Sequence, residues 1–318
     1  MQQSKLSNTL PYLDYSTWLV QKLPWKVRKL PLDTGATCPN RDGRINRGGC
    51  IYCNNEAFVP SYCHTGDIHQ QLEAGKAFFA HKSQNVKYIA YLQAHTSTYT
   101  SIKKMEEICR DILSDTDIVG ISIGTRPDCV DTEMLELLET LSRQTFVMVE
   151  YGIESANDAT LRYIHRGHDF ACAKAAIEST AKRGIYTCGH VILGLPGEDF
   201  NESLRQAPLI SSLPIDVLKI HQLQVVRGTL LARQFQESPF PLYQAEEFIS
   251  LVAQYIQRLR PTLAIERFVS QIPLSMMIAP RWNIKPNEFR HRLVTFMQEN
   301  GMFQGQISTS FNDTCQIV

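Results

Sequence analysis

TFVMVEYGIE, residues 145–154, is a short run rich in Val, Ile and Tyr, the composition of a buried strand. Helical period flanks it on both sides. Before it, Met134, Leu135, Leu138 and Leu141 form an apolar stripe across 131–143, with Asp131 placed as an N-cap. After it, residues 169–183 are alanine-rich and end at Gly184, a helix-stopping glycine. The same beat recurs in both directions. VKYIAYLQ (86–93), DIVGISIGT (117–125), YTCGHVILGL (186–195) and DVLKIHQL (216–223) read as strands, and KVRKLPL (26–32) as a weaker first one. Ile68, Leu72 and Phe79 share a face of a helix over 67–82, and Asp199 with Glu202 resembles a capping box opening a helix after GLPG. After the first strand, centres stand about 30 to 40 residues apart, the length of a βα unit. Six such units predict an α/β fold of parallel strands with outer helices. Period alone does not separate a barrel from an open sheet. In either, a site belongs at the C-terminal ends of the strands. The cysteine-bearing loop after residue 32, QAHTST, GTRPD, GIES and GLPG all follow strands, so all gather on one face.

After about residue 230 the rhythm changes: a helix near 245–259, a strand in LAIERFVS, then MMIAPRWNIKPNEF. The expected organisation is an N-terminal extension over 1–25, a core over 26–230, and an extension over 231–318 packed on that core. No internal repeat or low-complexity segment interrupts it.

The bulk properties bound the partners. The 318 residues are 43% apolar and 20% charged, ordinary for a globular protein. No apolar run approaches the roughly 18 residues of a membrane span. The start, MQQSKLSNTLPYLDY, lacks the basic-then-apolar pattern of a secretory signal, so a cytoplasmic protein is expected. Thirty-two basic residues balance thirty-two acidic ones, whereas a protein that coats nucleic acid carries a positive excess. A local basic patch remains open: Arg41, Arg44 and Arg47 lie close together, with Lys22, Lys26, Arg28 and Lys29 just ahead. Nine cysteines, an odd count in a chain of this size, argue against a disulfide framework. Cys109, Cys129, Cys172 and Cys188 sit in apolar or helical contexts and read as core or near-core residues.

CPNRDGRINRGGCIYCNN, residues 38–55, concentrates three of the others: Cys38, eleven residues, Cys50, two residues, Cys53. One reading is structural zinc on Cys50 and Cys53, completed by Cys38 with Cys63 or His64. The other is an iron–sulfur cluster with three protein ligands and one open iron. Spacing alone leaves both open.

Around that loop the sequence resembles the radical S-adenosylmethionine (SAM) enzymes, and more narrowly the YhcC/YtqA group, relatives of the radical domain of the Elongator catalytic subunit. The matching stretches are CPNRDGRINRGGCIYC, YLQAHTSTY, IGTRPDCV, VEYGIESANDATLRYIHRGHDF, HVILGLPGE and LKIHQLQVVRGT, with ERFVSQ and IAPRW in the tail; they cover roughly residues 18 to 290. The resemblance implies a partial (β/α)6 TIM-type barrel with a C-terminal α/β extension. It implies that Cys38, Cys50 and Cys53 bind three irons of a 4Fe–4S cluster, the fourth iron taking the amino and carboxylate groups of SAM. The usual first spacing in the family is three residues. The eleven here match the longer loops of the Elongator-like branch and carry the arginines.

The same resemblance implies roles for other residues. Tyr52 stands where the family has an aromatic near adenine. Gln93 and Thr96 end the second strand, where the SAM amino group is bound, although the usual Gly-Gly-Glu stretch is absent. Arg126 fits either a buried ion pair or a SAM or substrate contact. Glu150 and Glu154 alternate with apolar residues on one strand face. Two inward carboxylates need partners, and SAM's hydroxyl and amino groups could supply them. Relatives often have Gln at the Glu154 position. Arg166 matches a residue that holds the SAM carboxylate. Gly194 and Pro196, with Gly197, form a turn that brings backbone near adenine. His221 reads as a core histidine. The implied reaction is reductive cleavage of SAM to a 5′-deoxyadenosyl radical, with flavodoxin or ferredoxin as low-potential donor. The Elongator-like blocks and the arginines point to tRNA, at the wobble uridine side chain. The acetyltransferase domain of the Elongator relative has no counterpart here, so acyl transfer does not carry over. The alternatives are a radical reaction on a small metabolite or protein, and a metal-bearing regulatory protein without turnover.

Overall fold

The structure, a computed structural model, describes residues 10–64, 66–80, 86–270 and 272–307. The side chain of His64, residue Gln271 and the outer ends of both expected extensions lie outside the described residues. A short helix α1 (Tyr15–Leu19) precedes β1 (Val27–Leu32). Five further strand–helix alternations follow: α2 (Ile68–Ala80), β2 (Lys87–Leu92), α3 (Ile102–Leu113), β3 (Ile118–Thr125), α4 (Thr132–Ser142), β4 (Phe146–Glu154), α5 (Asp158–Tyr163), α6 (Phe170–Ala181), β5 (Tyr186–Leu193), α7 (Phe200–Ser212) and β6 (Val217–Gln222). The C-terminal part holds β7 (Val225–Val226), α8 (Leu230–Glu237), α9 (Ala245–Gln257), β8 (Ala264–Arg267), β9 (Met277–Ala279) and α10 (Pro286–Glu299).

The six expected strands pair in parallel in chain order, and β8 adds a seventh beside β6; β7 and β9 form a separate antiparallel pair. The seventh strand differs from the six-unit reading, because a change of rhythm in sequence does not reveal which strand a later segment will pair. The strands are buried on both faces, as parallel strands covered by helices must be. The sheet curls into a half-barrel. Seven flat strands would separate β1 from β8 by about 29 Å at 4.8 Å per step. Yet Lys29 Nζ on β1 lies 2.6 Å from Glu266 Oε2 on β8.

The helix ends follow their sequence signals. Asp131, Asp169 and Asp199 accept from the backbone N–H of Met134, Cys172 and Glu202, and Gly184 sits at φ +71°, the left-handed region glycine tolerates. At the N-terminal strand ends, Trp18 of α1 packs edge-on against Phe146 and Tyr186, in a cluster with Ile89, Met148, Val217 and Ala264. That plug closes one end of the half-barrel and leaves the C-terminal strand ends to form a cavity. Gln304 ties the tail to this base, accepting from Leu13 N at 2.8 Å and donating to Leu263 O at 2.7 Å.

Candidate active site

A cavity of about 250 Å3 lies at the C-terminal ends of the strands. Cys38, Cys50, Cys53, Tyr52, Gln93, Thr96, Arg126, Glu150, Glu154 and Arg166 all line it, although they come from five separate segments of chain. Gly194 and Pro196 do not. Their turn packs against Tyr243, whose ring would meet a Cβ on Gly194 at 3.1 Å, and Gly194 takes φ +87°.

The cysteine loop folds back on itself. Cys38 O accepts from Arg41 N at 2.8 Å, Pro39 O from Ile45 N at 2.8 Å, and Asn40 O from Gly49 N at 2.7 Å. Asn40 Nδ2 donates to His165 O at 2.7 Å and to Cys50 Sγ at 3.4 Å, fastening the loop to the segment after α5. Arg41 donates to Cys53 O at 2.7 Å, whereas the exposed Arg44 lies over the Tyr99 ring. Burial and then Cys50 push the Cys53 thiol up to about 11, against the pull of Arg41. A bound cation is the charge that reverses such a shift. The donor set discriminates between metals. Zinc with Zn–S near 2.3 Å needs sulfurs about 3.8 Å apart. Among the described residues, the three-ligand group whose atoms all lie within 4.8 Å is Glu150, Cys188 and His190, and the loop thiols are not such a group.

The Glu150, Cys188 and His190 group is itself a poor metal site. Glu150 Oε1 accepts from Lys29 at 2.7 Å and Ser122 at 2.5 Å, and Oε2 from Lys219 at 2.5 Å and His190 at 2.8 Å. Burial would raise the carboxyl's pKa, but Lys219 and Lys29 override it and hold Glu150 well below the usual range. Two ammonium groups at that carboxylate repel a divalent cation. The need for partners that the sequence raised is met for Glu150 by the chain's own cations.

Glu154 reaches the cavity by another route than simple alternation. The β4–β5 register slips between Gly152 and Glu154, and Glu154 takes φ +68°. Such a bulge breaks the two-residue period and re-aims the side chain. Arg166 Nη2 lies 3.4 Å from Glu154 Oε1 and donates to Gly152 O at 2.6 Å, while Nη1 lies 3.7 Å from Cys50 Sγ. Burial opposes the Arg166 charge, but Tyr52, Glu154 and Cys50 raise its pKa well above the ordinary value. Arg126 pairs with Asp128 through two 2.8 Å bonds and donates to Arg166 O at 2.8 Å. Arg126 Nη1 and Arg166 Nε are buried with no protein partner, two donors suited to an anion near Cys50. His95 and His165, like Glu154, are non-glycine residues with positive φ, at +55° each. Glu154 ends β4 and His95 follows β2, both lining the cavity, where backbone strain tends to collect.

Sequence reasoning missed His190 and Arg267 as cavity-lining residues and Lys29 and Lys219 as the buried cations beneath them, and it placed His221 in the core. Lys219 and His221 are two apart on β6 and share a face, so the available signal was charge recurring at strand period within apolar runs.

The chain that builds this cavity matches known proteins in sequence and fold. The radical SAM superfamily model matches residues 37–205, more than half of the chain, and a radical SAM C-terminal domain model matches 215–299. The chain belongs to the radical SAM superfamily. The radical SAM chain is 32% identical to YtqA of Bacillus subtilis over 284 residues, 88% of each protein. It is 34% identical to YhcC of Escherichia coli over 265 residues, 83% of this chain and 85% of that one. Among solved structures, Elp3 of Methanocaldococcus infernus shares the fold, with TM-score 0.67 and 16% identity over 88% of this chain and 64% of that one. Radical SAM proteins are enzymes, and the family implies SAM and a 4Fe–4S cluster. Among the described residues no helix is long and apolar enough to cross a membrane.

Proposed function

We propose that Cys38, Cys50 and Cys53 hold a 4Fe–4S cluster and that Arg126, Arg166, Gln93, Thr96 and Tyr52 seat SAM beside it. The observation that supports this is the meeting of the loop thiols with Arg166 and Arg126 around one cavity, each guanidinium keeping one buried nitrogen without a protein partner. The cluster, when bound, supplies the electron that cleaves SAM reductively to methionine and a hydrogen-abstracting 5′-deoxyadenosyl radical. The chain's own part is to bind, orient and exclude water. Asn40 and Arg166 donate toward Cys50 Sγ and favour its thiolate form. Arg166 offers Nε to the SAM carboxylate while Glu154 and Gly152 O fix its plane. Tyr52 covers the adenine side, and the Glu150 network sets the cavity floor. Gly194 and Pro196 would act at a distance, by holding the turn against Tyr243. The electron comes from flavodoxin or ferredoxin.

The substrate we infer is tRNA, at the wobble uridine side chain. Support comes from the Elongator-like sequence blocks and from Arg44 and Arg47, both exposed on the cysteine loop. The balanced net charge favours the second reading, a small metabolite or protein substrate.

Anaerobic reconstitution with iron and sulfide, followed by electron paramagnetic resonance of the reduced protein, tests the cluster. The expected result is a 4Fe–4S signal that shifts on adding SAM and is lost in Cys38→Ala. Uptake of one zinc and no cluster overturns the reading. For tRNA, Arg44→Ala with Arg47→Ala is expected to reduce both affinity and its dependence on salt, and no binding at low salt rejects that substrate.

A further inference from the structure

Two cavity groups on the wall formed by β6 and β8 lack partners. His221 Nε2 is buried and bonds to nothing. Arg267 makes no hydrogen bond or ion pair among the described residues, and both side chains line the cavity. They stand outside the balanced network beneath them, in which Lys29 and Lys219 face Glu150 and Glu266. The other guanidinium groups near Cys50 are already tied, Arg126 to Asp128 and Arg166 to Gly152 O and Glu154.

The fold holds this wall in place. Gln222 clasps the Ser270 backbone, accepting from its N–H at 2.8 Å and donating to its carbonyl at 3.3 Å, and Gln224 donates to the same carbonyl at 3.1 Å. The Ser270 hydroxyl so fixed bonds His221 Nδ1. On β8 the register jumps from Ile265 opposite Leu218 to Arg267 opposite Lys219, a bulge at Glu266 that turns both charged side chains inward. Burial, then Arg267, keeps the His221 pKa well below its ordinary value, so the ring is neutral. If the Ser270 hydroxyl is the donor to Nδ1, the neutral ring carries its proton on Nε2, the nitrogen with no protein partner.

We propose that Arg267 and His221 bind an oxyanion, a carboxylate or a phosphate, carried by the substrate. The guanidinium supplies charge and a two-donor edge, and the imidazole a further N–H. The inference rests on the radical SAM reading in taking the occupant to be that enzyme's substrate.

Phenylglyoxal labelling of the anaerobically reconstituted protein, read at Arg267 by peptide mass spectrometry, tests it. Inorganic phosphate, acetate and chloride are compared at equal ionic strength, with the exposed Arg233 as reference. The expected result is slower labelling of Arg267, not Arg233, under phosphate or acetate; the more effective anion identifies the substrate's group. His221→Asn is expected to weaken that protection by about tenfold, the loss of one hydrogen bond to a charged group. Equal protection by chloride, or none by any anion, overturns the proposal. Full protection by SAM alone overturns it too, by assigning Arg267 to the SAM carboxylate. The SAM-induced shift of the cluster signal, read on the same sample, tests the cluster reading separately, because its loss leaves the Arg267 protection result standing.

Discussion

At Gly152 the site depends on the absence of a side chain. A Cβ there would stand 2.4 Å from Arg166 Nη2 and 2.5 Å from Glu154 Oε1. The arginine terminus is buried and tied at three points, so it must give up one of them. Gly152→Ala is expected to leave the fold intact, at about 1–3 kcal/mol of overpacking. It should raise the SAM concentration that shifts the cluster signal by tenfold or more, measured by electron paramagnetic resonance titration. An unchanged midpoint would remove Arg166 from the SAM site. Gly152 was legible only as part of a family-like stretch, because its neighbour Arg166 is 14 residues away. The three cysteines stood out through spacing and residue type. Arg267 and Lys219 did not, because one charge in an apolar strand reads the same whether it faces solvent or a cavity. Register decides, and the pairings that carry Glu154 and Arg267 both contain shifts.

The elements were the most legible level. All six strands of the first part fall within two residues of their apolar runs. Asp131 and Asp199, which the pattern set before helices, do cap them, and Asp169 caps a third. Asp131→Ala is expected to lower unfolding free energy by about 1 kcal/mol, the usual worth of an N-cap, without changing SAM binding. Urea denaturation of the apoprotein measures it, and no change would mean that tertiary packing alone fixes α4. Two elements were under-read. LAIERFVS was taken as a strand, but pairing with β6 lies 47 residues apart at Val217 and Ala264 and leaves no local trace. Helix α10 did leave one: Pro286 at its first turn, then Phe289, Leu293 and Met297 at intervals of four, all buried.

For the molecule as a whole, the Glu150 network joins β1, β4, β5, β6 and β8 at one buried point. Glu150→Gln is expected to cost about 3–5 kcal/mol at neutral pH, since it leaves two buried ammonium groups to share the single carboxylate of Glu266. The sign with pH follows from the depressed carboxyl. Its stabilising contribution is complete above the unfolded-state value of about 4.3. It is lost as pH falls through the lower folded value. The stability gap between wild type and Glu150→Gln should therefore narrow on acidification below pH 4, followed by circular dichroism. A gap that stays constant into strong acid would show that the carboxylate charge contributes nothing. The overall architecture was readable because βα rhythm fixes strand direction. The degree of curl was not, because it depends on side chains meeting across the interior.

The meeting of Lys29 with Glu266 has a mechanical consequence. Backbone ladders join every neighbouring pair from β1 round to β8, whereas the seam is closed by the Lys29–Glu266 pair and by a single bridge in which Ile265 N donates to Leu13 O at 2.8 Å. The half-barrel is a split ring with a clasp, not a hoop, and parting that clasp breaks fewer hydrogen bonds than parting any ladder.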